Sequence, residues 1–330
     1  MAGPAKSPLP GYVLLFAAIA ALPWLGAYPI FVMKVLCFAL FACAFNLLIG
    51  FTGLLSFGHA AFLGAAAYGA GHAIKVWGFP PLMGLALGTA AAALLGLVMG
   101  LLAIRRSGIY FSMITLALAQ MLFFVFLQAG FTGGEDGLQG VPRGQLLGLS
   151  LENDLHLYYL VLAIFIAAFW LIYRTVHSPF GQVLTSIREN EARATSLGYD
   201  VERFKLLAFV LSAALAGLAG ATKTLVLGFA TLTDALWTTS GLVILMTLVG
   251  GMGTMVGPMV GALVIIALEN KIGDLGMALA NSTGIAWFNG LGESVSLVTG
   301  LIFIVCVLAF RRGLVGEAAA LWGRLSRRQG

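Results

Sequence analysis

The sequence has little charge for its length. Its 330 residues include 18 Lys or Arg and 13 Asp or Glu, so only 9% of the chain is charged, while 60% is hydrophobic. Soluble domains carry about 25% charged residues and about 45–50% apolar residues. A surface in contact with water cannot be covered with so few charges. We therefore predict an integral membrane protein of the all-α polytopic class.

The sequence also lacks the motifs of common catalytic and metal sites. No Gly-Lys pair occurs, which excludes a P-loop for ATP in this chain, and neither HExxH nor GxSxG is present. The histidines are too widely separated to predict a metal site; they are His59, His72, His156 and His177. We expect no catalytic residue, no metal and no cofactor held by this chain itself.

Cysteine and intramembrane acids are scarce too. Cys37, Cys43 and Cys306 lie in apolar stretches without CxxC spacing, so we expect small buried hydrophobes. Glu269 is the only acidic residue near the end of a long apolar run without an obvious loop around it. Proton-coupled carriers usually place Asp, Glu or His inside the membrane. We therefore expect an interior nearly free of ionisable groups, which argues against ion coupling.

Nine apolar runs are long enough to span a membrane. We interpret the first as a retained span, because no small-residue cleavage site ends it. The runs lie at roughly 11–27, 30–50, 54–74, 80–104, 109–130, 157–173, 206–228, 240–268 and 294–310.

The basic residues constrain how these runs cross. Lys and Arg are spread between the runs, which argues against nucleic acid and for a topological role. With the N-terminus in the cytoplasm and nine straight crossings, the 18 Lys and Arg divide nine to nine between the two sides. If 240–268 enters the membrane and returns, they divide 13 inside to 5 outside. That asymmetry is the expected one, so we predict that both termini are cytoplasmic.

A place for the return lies inside the run 240–268. Residues 250–258 contain Gly250, Gly251, Gly253, Gly257 and Pro258. Such a segment breaks a helix, and broken backbone at membrane depth needs protein or a water-filled cavity around it. We predict two shorter helices here, for about nine to ten in all; one long kinked helix is the alternative.

One span carries small residues at every fourth position. These lie in the run 80–104 and are Gly84, Gly88, Ala92, Gly96 and Gly100. Such a row lets a neighbouring helix approach closely. The sequence leaves open whether that neighbour belongs to this chain or to another.

The aqueous segments indicate a single transmembrane domain over residues 1–330. The outer loop 131–156 is acidic, with Glu135, Asp136, Glu152 and Asp154 against Arg143. The inner loop 174–205 is the largest, and a basic tail follows at 311–330.

Polar side chains in the apolar runs mark a candidate translocation path. Ser56 and His59 follow the glycine-broken start of a span, and a second trace runs through 109–130. The alternatives are a histidine bonded to a backbone carbonyl and hydroxyls bonded to their own helix. The candidate path residues are Ser56, His59, Tyr110, Ser112, Thr115 and Gln120.

The inner loop predicts one amphipathic helix. Ser178 suits the N-cap position with Pro179 at the first turn, and Gly198 suits the position that ends a helix. Asp200 can cap the following span. An apolar edge is expected on this helix from Val183, Leu184, Ile187 and Leu197, with mixed charges opposite. The mixture of Glu and Arg favours a protein partner over a lipid surface, which is the alternative.

Several stretches resemble the branched-chain amino acid ABC transporter permeases of the LivM type. The strongest is residues 181–198 (GQVLTSIRENEARATSLG), followed by KLLAF at 205–209. Further matching stretches occur in order along the chain: 53–59 (GLLSFGH), 110–117 (YFSMITLA), 132–138 (TGGEDGL), and 250–254 (GGMGT) with Gly257 and Pro258.

The resemblance implies a subunit of an importer in the bacterial inner membrane. The implied partners are a LivH-like permease subunit, two cytoplasmic ABC ATPases that bind ATP and Mg, and a periplasmic substrate-binding protein. The helix of the inner loop would be the coupling helix, although Glu191 precedes Gly198 by seven residues where related importers have six. Its implied residues are Arg188, Glu189, Glu191, Ala192, Ala194, Leu197 and Gly198.

The acidic outer loop is a candidate dock for the binding protein, with a solvated loop as the alternative. The residues concerned are Thr132, Gly133, Gly134, Glu135 and Asp136. Branched-chain or related hydrophobic amino acids are the expected cargo. The alternatives are a urea or short-amide permease of the same family, and a self-sufficient channel or secondary carrier. An enzyme of lipid metabolism fits poorly, because paired acids and a nucleophile are missing.

Overall fold

The computed structural model describes residues 9–146, 148–283, 300–301, 304 and 313–317. Helices dominate this part of the chain, and two-residue strands β1 (Gln145–Leu146) and β2 (Leu149–Ser150) form a small antiparallel hairpin. The helices are α1 (Leu9–Ala21), α2 (Pro29–Thr52), α3 (His59–Lys75), α4 (Pro81–Ala103), α5 (Ile109–Gln128), α6 (Asp154–Val176), α7 (Pro179–Glu189), α8 (Glu191–Ser196), α9 (Val201–Leu227), α10 (Trp237–Gly250) and α11 (Gly257–Thr283).

The helices confirm the predicted all-α polytopic class. Within the described residues, α2, α4, α5, α6 and α9 are each long and apolar enough to cross a membrane, and α10 is a shorter apolar helix. The first eight predicted runs all coincide with helices. Most of the ninth run, 294–310, most of the tail 311–330 and Cys306 lie outside the described residues.

The central helix of the bundle is α2. It packs against α6, α9, α10 and α11. Residues 32–48 of α2 are buried apart from Lys34. Cys37 and Cys43 lie in this stretch and are buried among apolar neighbours, as predicted.

The small-residue row of α4 packs against two helices of the same chain. A Cβ added to Gly88 would lie 2.6 Å from the Ala66 carbonyl oxygen of α3, and one added to Gly96 would lie 2.4 Å from Ala213 Cβ of α9. The neighbours of the row are therefore α3 and α9.

The run 240–268 forms two helices around a break, as predicted, but only α10 is short, because α11 continues beyond the run to Thr283. Helix α10 ends at Gly250 and α11 begins at Gly257, and the two pack against each other. A Cβ on Gly261 would lie 1.8 Å from the Met246 carbonyl oxygen, which only glycine permits. A helix of 14 residues is about 21 Å long, so α10 is shorter than the apolar thickness of a bilayer.

Two non-helical segments flank α3. Helix α3 begins at His59, later than the predicted span start at 54, because Gly53 ends α2 with φ of +76° and residues 53–58 stay irregular. The second irregular stretch, residues 228–236, connects α9 to α10 and contains a 3₁₀ turn, Leu232–Ala235. Residues 53–58 lead directly into α3, and the turn Leu232–Ala235 of the second segment packs against α3.

Candidate coupling and translocation sites

The inner loop forms two helices where one was predicted. Ser178 caps α7 as expected, accepting a hydrogen bond from the Gly181 backbone N–H, and Pro179 opens the helix. Asn190 then ends α7 with φ of −158° and caps α8 through its Oδ1, which accepts from the Arg193 backbone N–H at 2.9 Å. The Arg193 N–H thus bonds to the Asn190 side chain and not to a backbone carbonyl of the preceding turn. Asn190 therefore breaks the helix.

The predicted apolar edge of this loop faces its own chain. Val183, Leu184 and Ile187 are buried, because α7 packs on α2, α6 and α9. The expectation that this edge would dock into a partner is wrong for these three residues. Only Leu197 of the predicted edge is exposed, at 69%.

The exposed surface of the loop lies on and around α8. Glu189, Ala192 and Leu197 are exposed, whereas Ala194 is buried against the chain. Gly198 follows with φ of +88° and ends the helix as predicted. Asp200 caps α9 by accepting from the Arg203 backbone N–H, also as predicted.

An ion pair joins α8 to the start of α9. Lys205 Nζ lies 2.7 Å from Glu191 Oε1, and the Lys205 side chain is 5% exposed while that of Glu191 is 50% exposed. A lysine buried this deeply needs a partner. Glu191 is therefore held by α9 on one side and open to solvent on the other.

Arg188 extends from the end of α7 to the C-terminal end of α2. Its Nη1 donates a hydrogen bond to the Gly50 carbonyl oxygen. A Cβ on Gly53 would lie 3.1 Å from Arg188 Cγ, and one on Gly253 would lie 3.4 Å from Arg188 Nη1. The guanidinium thus lies where α7, α2 and the loop between α10 and α11 meet.

Asn46 holds the loop between α10 and α11 from inside the bundle. Its Nδ2 donates to the Thr254 carbonyl oxygen and its Oδ1 accepts from the Gly253 backbone N–H, both at 2.9 Å. The side chain supplies partners that a broken helix lacks. Sequence reasoning missed Asn46, although it is the only carboxamide in the run 30–50.

Close backbone contact defines the break itself. Gly251 and Gly253 have φ of +120° and +74°, and a Cβ on Gly250 would lie 1.8 Å from the Gly257 carbonyl oxygen. Pro258 is buried in the first turn of α11, where its missing N–H costs nothing. These contacts require glycine at the break.

Four of the predicted path residues are buried together near residues 53–58. Ser112 donates to the Leu55 carbonyl oxygen at 2.6 Å, and Thr115 Oγ1 accepts from the Phe57 backbone N–H at 3.3 Å. Ser56 and His59 are buried in the same region. In this conformation the hydroxyls of α5 hold the irregular segment in place.

His59 bonds to a hydroxyl, not to the backbone carbonyl considered above. Its Nε2 lies 2.8 Å from Ser212 Oγ, which in turn donates to the Ala44 carbonyl oxygen at 2.6 Å.

The other two path candidates lie apart from this cluster. Tyr110 is 75% exposed, and Gln120 is half-buried with its Oε1 unpaired among the described residues.

The predicted dock in the outer loop is partly buried, but its two acidic side chains are exposed. Thr132 is buried and donates to the Ala129 carbonyl oxygen at 2.6 Å, whereas Glu135 and Asp136 are exposed. Gly133 and Gly134 have φ of +79° and +61°, a left-handed backbone that favours glycine. The two carboxylates therefore stand on a tightly turned backbone.

The interior contains an ion pair that sequence reasoning missed. Lys223 of α9 donates to Asp234 of the segment 228–236, and their side chains are 9% and 6% exposed. The expectation of an interior nearly free of ionisable groups is wrong here. The two residues are 11 positions apart, and the turn after α9 folds Asp234 back against Lys223.

Among the described residues, no group of three or more His, Cys, Asp or Glu side chains is placed to bind a metal ion.

Known proteins match this chain over most of its length. A family model described as branched-chain amino acid transport system / permease component matches residues 30–310. The high-affinity branched-chain amino acid transport system permease protein LivM of Escherichia coli (strain K12) is 26% identical over 258 residues, which cover 69% of this chain and 60% of that protein.

Two further relatives match over shorter regions. The probable branched-chain amino acid transport permease protein LivH of Methanocaldococcus jannaschii is 30% identical over 169 residues, covering 51% of this chain and 49% of the relative. The autoinducer 2 import system permease protein LsrC of Klebsiella pneumoniae subsp. pneumoniae is 29% identical over 198 residues, covering 56% and 53%.

The family match covers every helix from α2 to α11, including the α7–α8 loop, the break between α10 and α11, and the outer loop. The chain therefore belongs to the family of branched-chain amino acid transport system permease components and is a multi-pass membrane protein.

Proposed function

We propose that this chain is a permease subunit of an ATP-driven importer for branched-chain or related hydrophobic amino acids. The observation that carries the proposal is the double attachment of the α7–α8 loop. Glu191 joins α8 to α9 through Lys205, and Arg188 joins α7 to the end of α2. A movement of this loop therefore reaches α9 directly through Lys205. Through Arg188 it reaches the end of α2, where Gly50 lies beside the break between α10 and α11.

The energy source in this proposal is external. Two cytoplasmic ABC ATPases bind ATP and Mg and close on each other, and they contact the exposed face of α8 around Ala192 and Leu197. The permease supplies inward-open and outward-open states, whose populations shift with ATPase closure. Arg188 and Asn46 carry the shift to the loop between α10 and α11, because both contact Gly253 or its neighbour.

The remaining partners follow from the family. A LivH-like permease subunit pairs with this chain in the bacterial inner membrane, and a periplasmic binding protein delivers the cargo to the outer loop. Glu135 and Asp136 are exposed in that loop, which supports a docking role. A path with little charge suits a zwitterionic cargo with a hydrophobic side chain. Relatives are named for different cargoes, so the binding protein sets the choice among them.

Transport by the assembled complex tests this function. The chain is expressed with the products of its neighbouring genes, purified, and reconstituted in proteoliposomes with the binding protein. We expect uptake of radiolabelled leucine only with ATP and all subunits present. Urea in place of leucine tests the short-amide alternative.

The same chain alone in proteoliposomes serves as the control. Leucine or urea uptake by the chain alone, driven by its own gradient or by a proton gradient, would show a self-sufficient channel or secondary carrier and would contradict the proposal.

A further inference from the structure

The segment 228–236, here called the inserted segment, runs inside the bundle along α3. At its outer end, Leu138 and Ala230 exchange backbone hydrogen bonds of 2.9 Å in both directions. Further along, a Cβ on Gly64 would lie 2.6 Å from Ala235 Cβ. Beyond the segment, Ser240 Oγ accepts from the Ala60 backbone N–H at 2.9 Å. The chain thus descends from the outer loop to the first turn of α3.

Irregular backbone at this depth needs polar partners from the protein, because lipid supplies none. Asp234 provides them. Its Oδ2 accepts from the Thr231 backbone N–H at 3.2 Å, and its Oδ1 accepts from Lys223 of α9. One carboxylate therefore closes the turn of the inserted segment and fastens that turn to a neighbouring span.

Lys223 lies one turn before the end of α9, about 6 Å below Leu227 along the helix axis. Both members of the pair are almost fully buried. Burying two charges costs solvation energy that their attraction barely offsets, so a buried ion pair adds little net stability. Intramembrane ionisable residues are rare and mark functional regions.

The inserted segment and the first turn of α10 leave polar groups exposed on the surface of the chain. Thr233 and Thr238 are exposed, as is the Trp237 side chain between them. The segment and α10 also pack on α5, the helix that carries the polar trace of the candidate path. Hydroxyls at this depth are better placed along an aqueous path than against lipid tails.

We infer that Lys223 and Asp234 are a positioning pair for transport. The pair fixes the inserted segment against α3 and α9, so that Thr233, Trp237 and Thr238 form part of the wall of the path. The inference rests on the proposed importer function, and it adds a surface of the path outside the coupling loop and the break.

Two substitutions separate the two roles of Asp234 in the assembled transporter. Asp234→Asn keeps an acceptor for the Thr231 N–H but removes the ion pair. The exchange Lys223→Asp with Asp234→Lys keeps both charges but gives the Thr231 N–H no acceptor. Tyr68→Phe is the matched control, since the buried Tyr68 hydroxyl has no hydrogen-bond partner among the described residues.

We expect Asp234→Asn and the exchange each to raise the KM for leucine uptake at least fivefold while basal ATP hydrolysis stays within twofold of the unaltered complex. Tyr68→Phe should leave both unchanged. An unchanged KM in Asp234→Asn would overturn the inference. A fully normal KM in the exchange would show that charge neutrality alone matters, and would overturn it too.

A labelling experiment keeps the inference testable even if these variants assemble poorly. Thr233→Cys is introduced after the native cysteines are replaced, and a membrane-impermeant maleimide is applied to the complex. We expect labelling that saturating leucine and binding protein slow at least threefold. A cysteine that does not react, or whose reaction leucine leaves unchanged, contradicts a place on the path. Absence of ATP-dependent uptake in the unaltered complex would refute the importer function, whereas labelling of position 233 would still report exposure to water.

Discussion

The Arg188 guanidinium donates a hydrogen bond to the Gly50 carbonyl oxygen, across 138 residues of sequence. Gly50 is near the end of α2, and a Cβ on it would lie 2.4 Å from Asn46 Oδ1 and 2.8 Å from the Gly253 backbone N. The α7–α8 loop, the central helix and the break between α10 and α11 therefore share one contact region. In the proposed mechanism, movement of the loop reaches the break through this region.

Replacing Arg188 should uncouple the transporter. Arg188→Ala removes a hydrogen bond from a charged donor, of the kind that contributes about 1.5–3 kcal/mol, so we expect leucine uptake to fall roughly tenfold. Basal ATP hydrolysis should persist, because α8 keeps its exposed face. The measurement compares uptake and hydrolysis in the same proteoliposomes. Arg174→Ala, at an exposed arginine in the last turn of α6, is the control; equal losses in both variants would refute a specific role for Arg188.

Replacing Asn46 should destabilise the permease. Asn46→Ala leaves the Gly253 N–H and the Thr254 carbonyl without their side-chain partners, at a cost of about 1–3 kcal/mol for a buried polar group. We expect an apparent Tm several degrees lower in detergent, measured by loss of the monodisperse peak after heating. Cys43→Ala removes a buried side chain from the same helix without a polar partner and should cost less. A larger loss for Cys43→Ala would contradict this role of Asn46.

The contact between α10 and α11 predicts a strong steric effect at Gly261. Gly261→Ala places a methyl group against the Met246 carbonyl, and such overpacking costs about 1–3 kcal/mol. Gly241→Ala is the matched control, because it lies in α10 with no atom within 4 Å of the added Cβ. That control should be neutral or stabilising, as alanine favours helix. The measurement is the apparent Tm in detergent. An unchanged Tm in Gly261→Ala would refute the close packing of α10 and α11.

Breaking the ion pair between Glu191 and Lys205 should weaken binding of the ATPase subunits. Glu191→Ala with Gly198→Ala leaves the buried Lys205 unpaired and strains the end of α8, where φ is +88°. We expect less ATPase to copurify with the tagged permease, or hydrolysis that no longer responds to substrate. Glu202→Ala, at an exposed acid of α9, is the control. Normal substrate-stimulated hydrolysis in the double variant would count against a coupling role for α8.

Replacing the exposed acids of the outer loop should weaken delivery of cargo by the binding protein. Glu135→Ala with Asp136→Ala should raise the concentration of binding protein needed for half-maximal uptake several-fold, especially at low salt, where surface charges act over a longer range. Glu152→Ala is the control in the same loop. Unchanged uptake across a titration of binding protein would exclude the dock.

Local sequence signals identified the features that depend on near neighbours. Ser178, Gly198 and Asp200 act at helix ends as their residue types predict, since a cap bonds to backbone within three residues. The break at 250–257 was readable for the same reason, because glycine and proline disfavour helix wherever they cluster. Asn190 and Gly53 are the local failures: an asparagine inside an amphipathic pattern also fits a helix interior, and the apolar residues after Gly53 continue the hydrophobic run although the backbone there is irregular.

Charge scarcity, span order and the glycine-rich break were determined by the sequence alone, because membrane insertion and helix breaking depend on composition over a few turns. The tertiary structure decided which groups meet: Arg188 with Gly50, Asn46 with the α10–α11 loop, Lys223 with Asp234, and α4 with α3 and α9. Those pairings depend on the order and crossing of packed helices. Residues in different helices and loops become neighbours only when close packing and the need to pair buried polar groups select one arrangement.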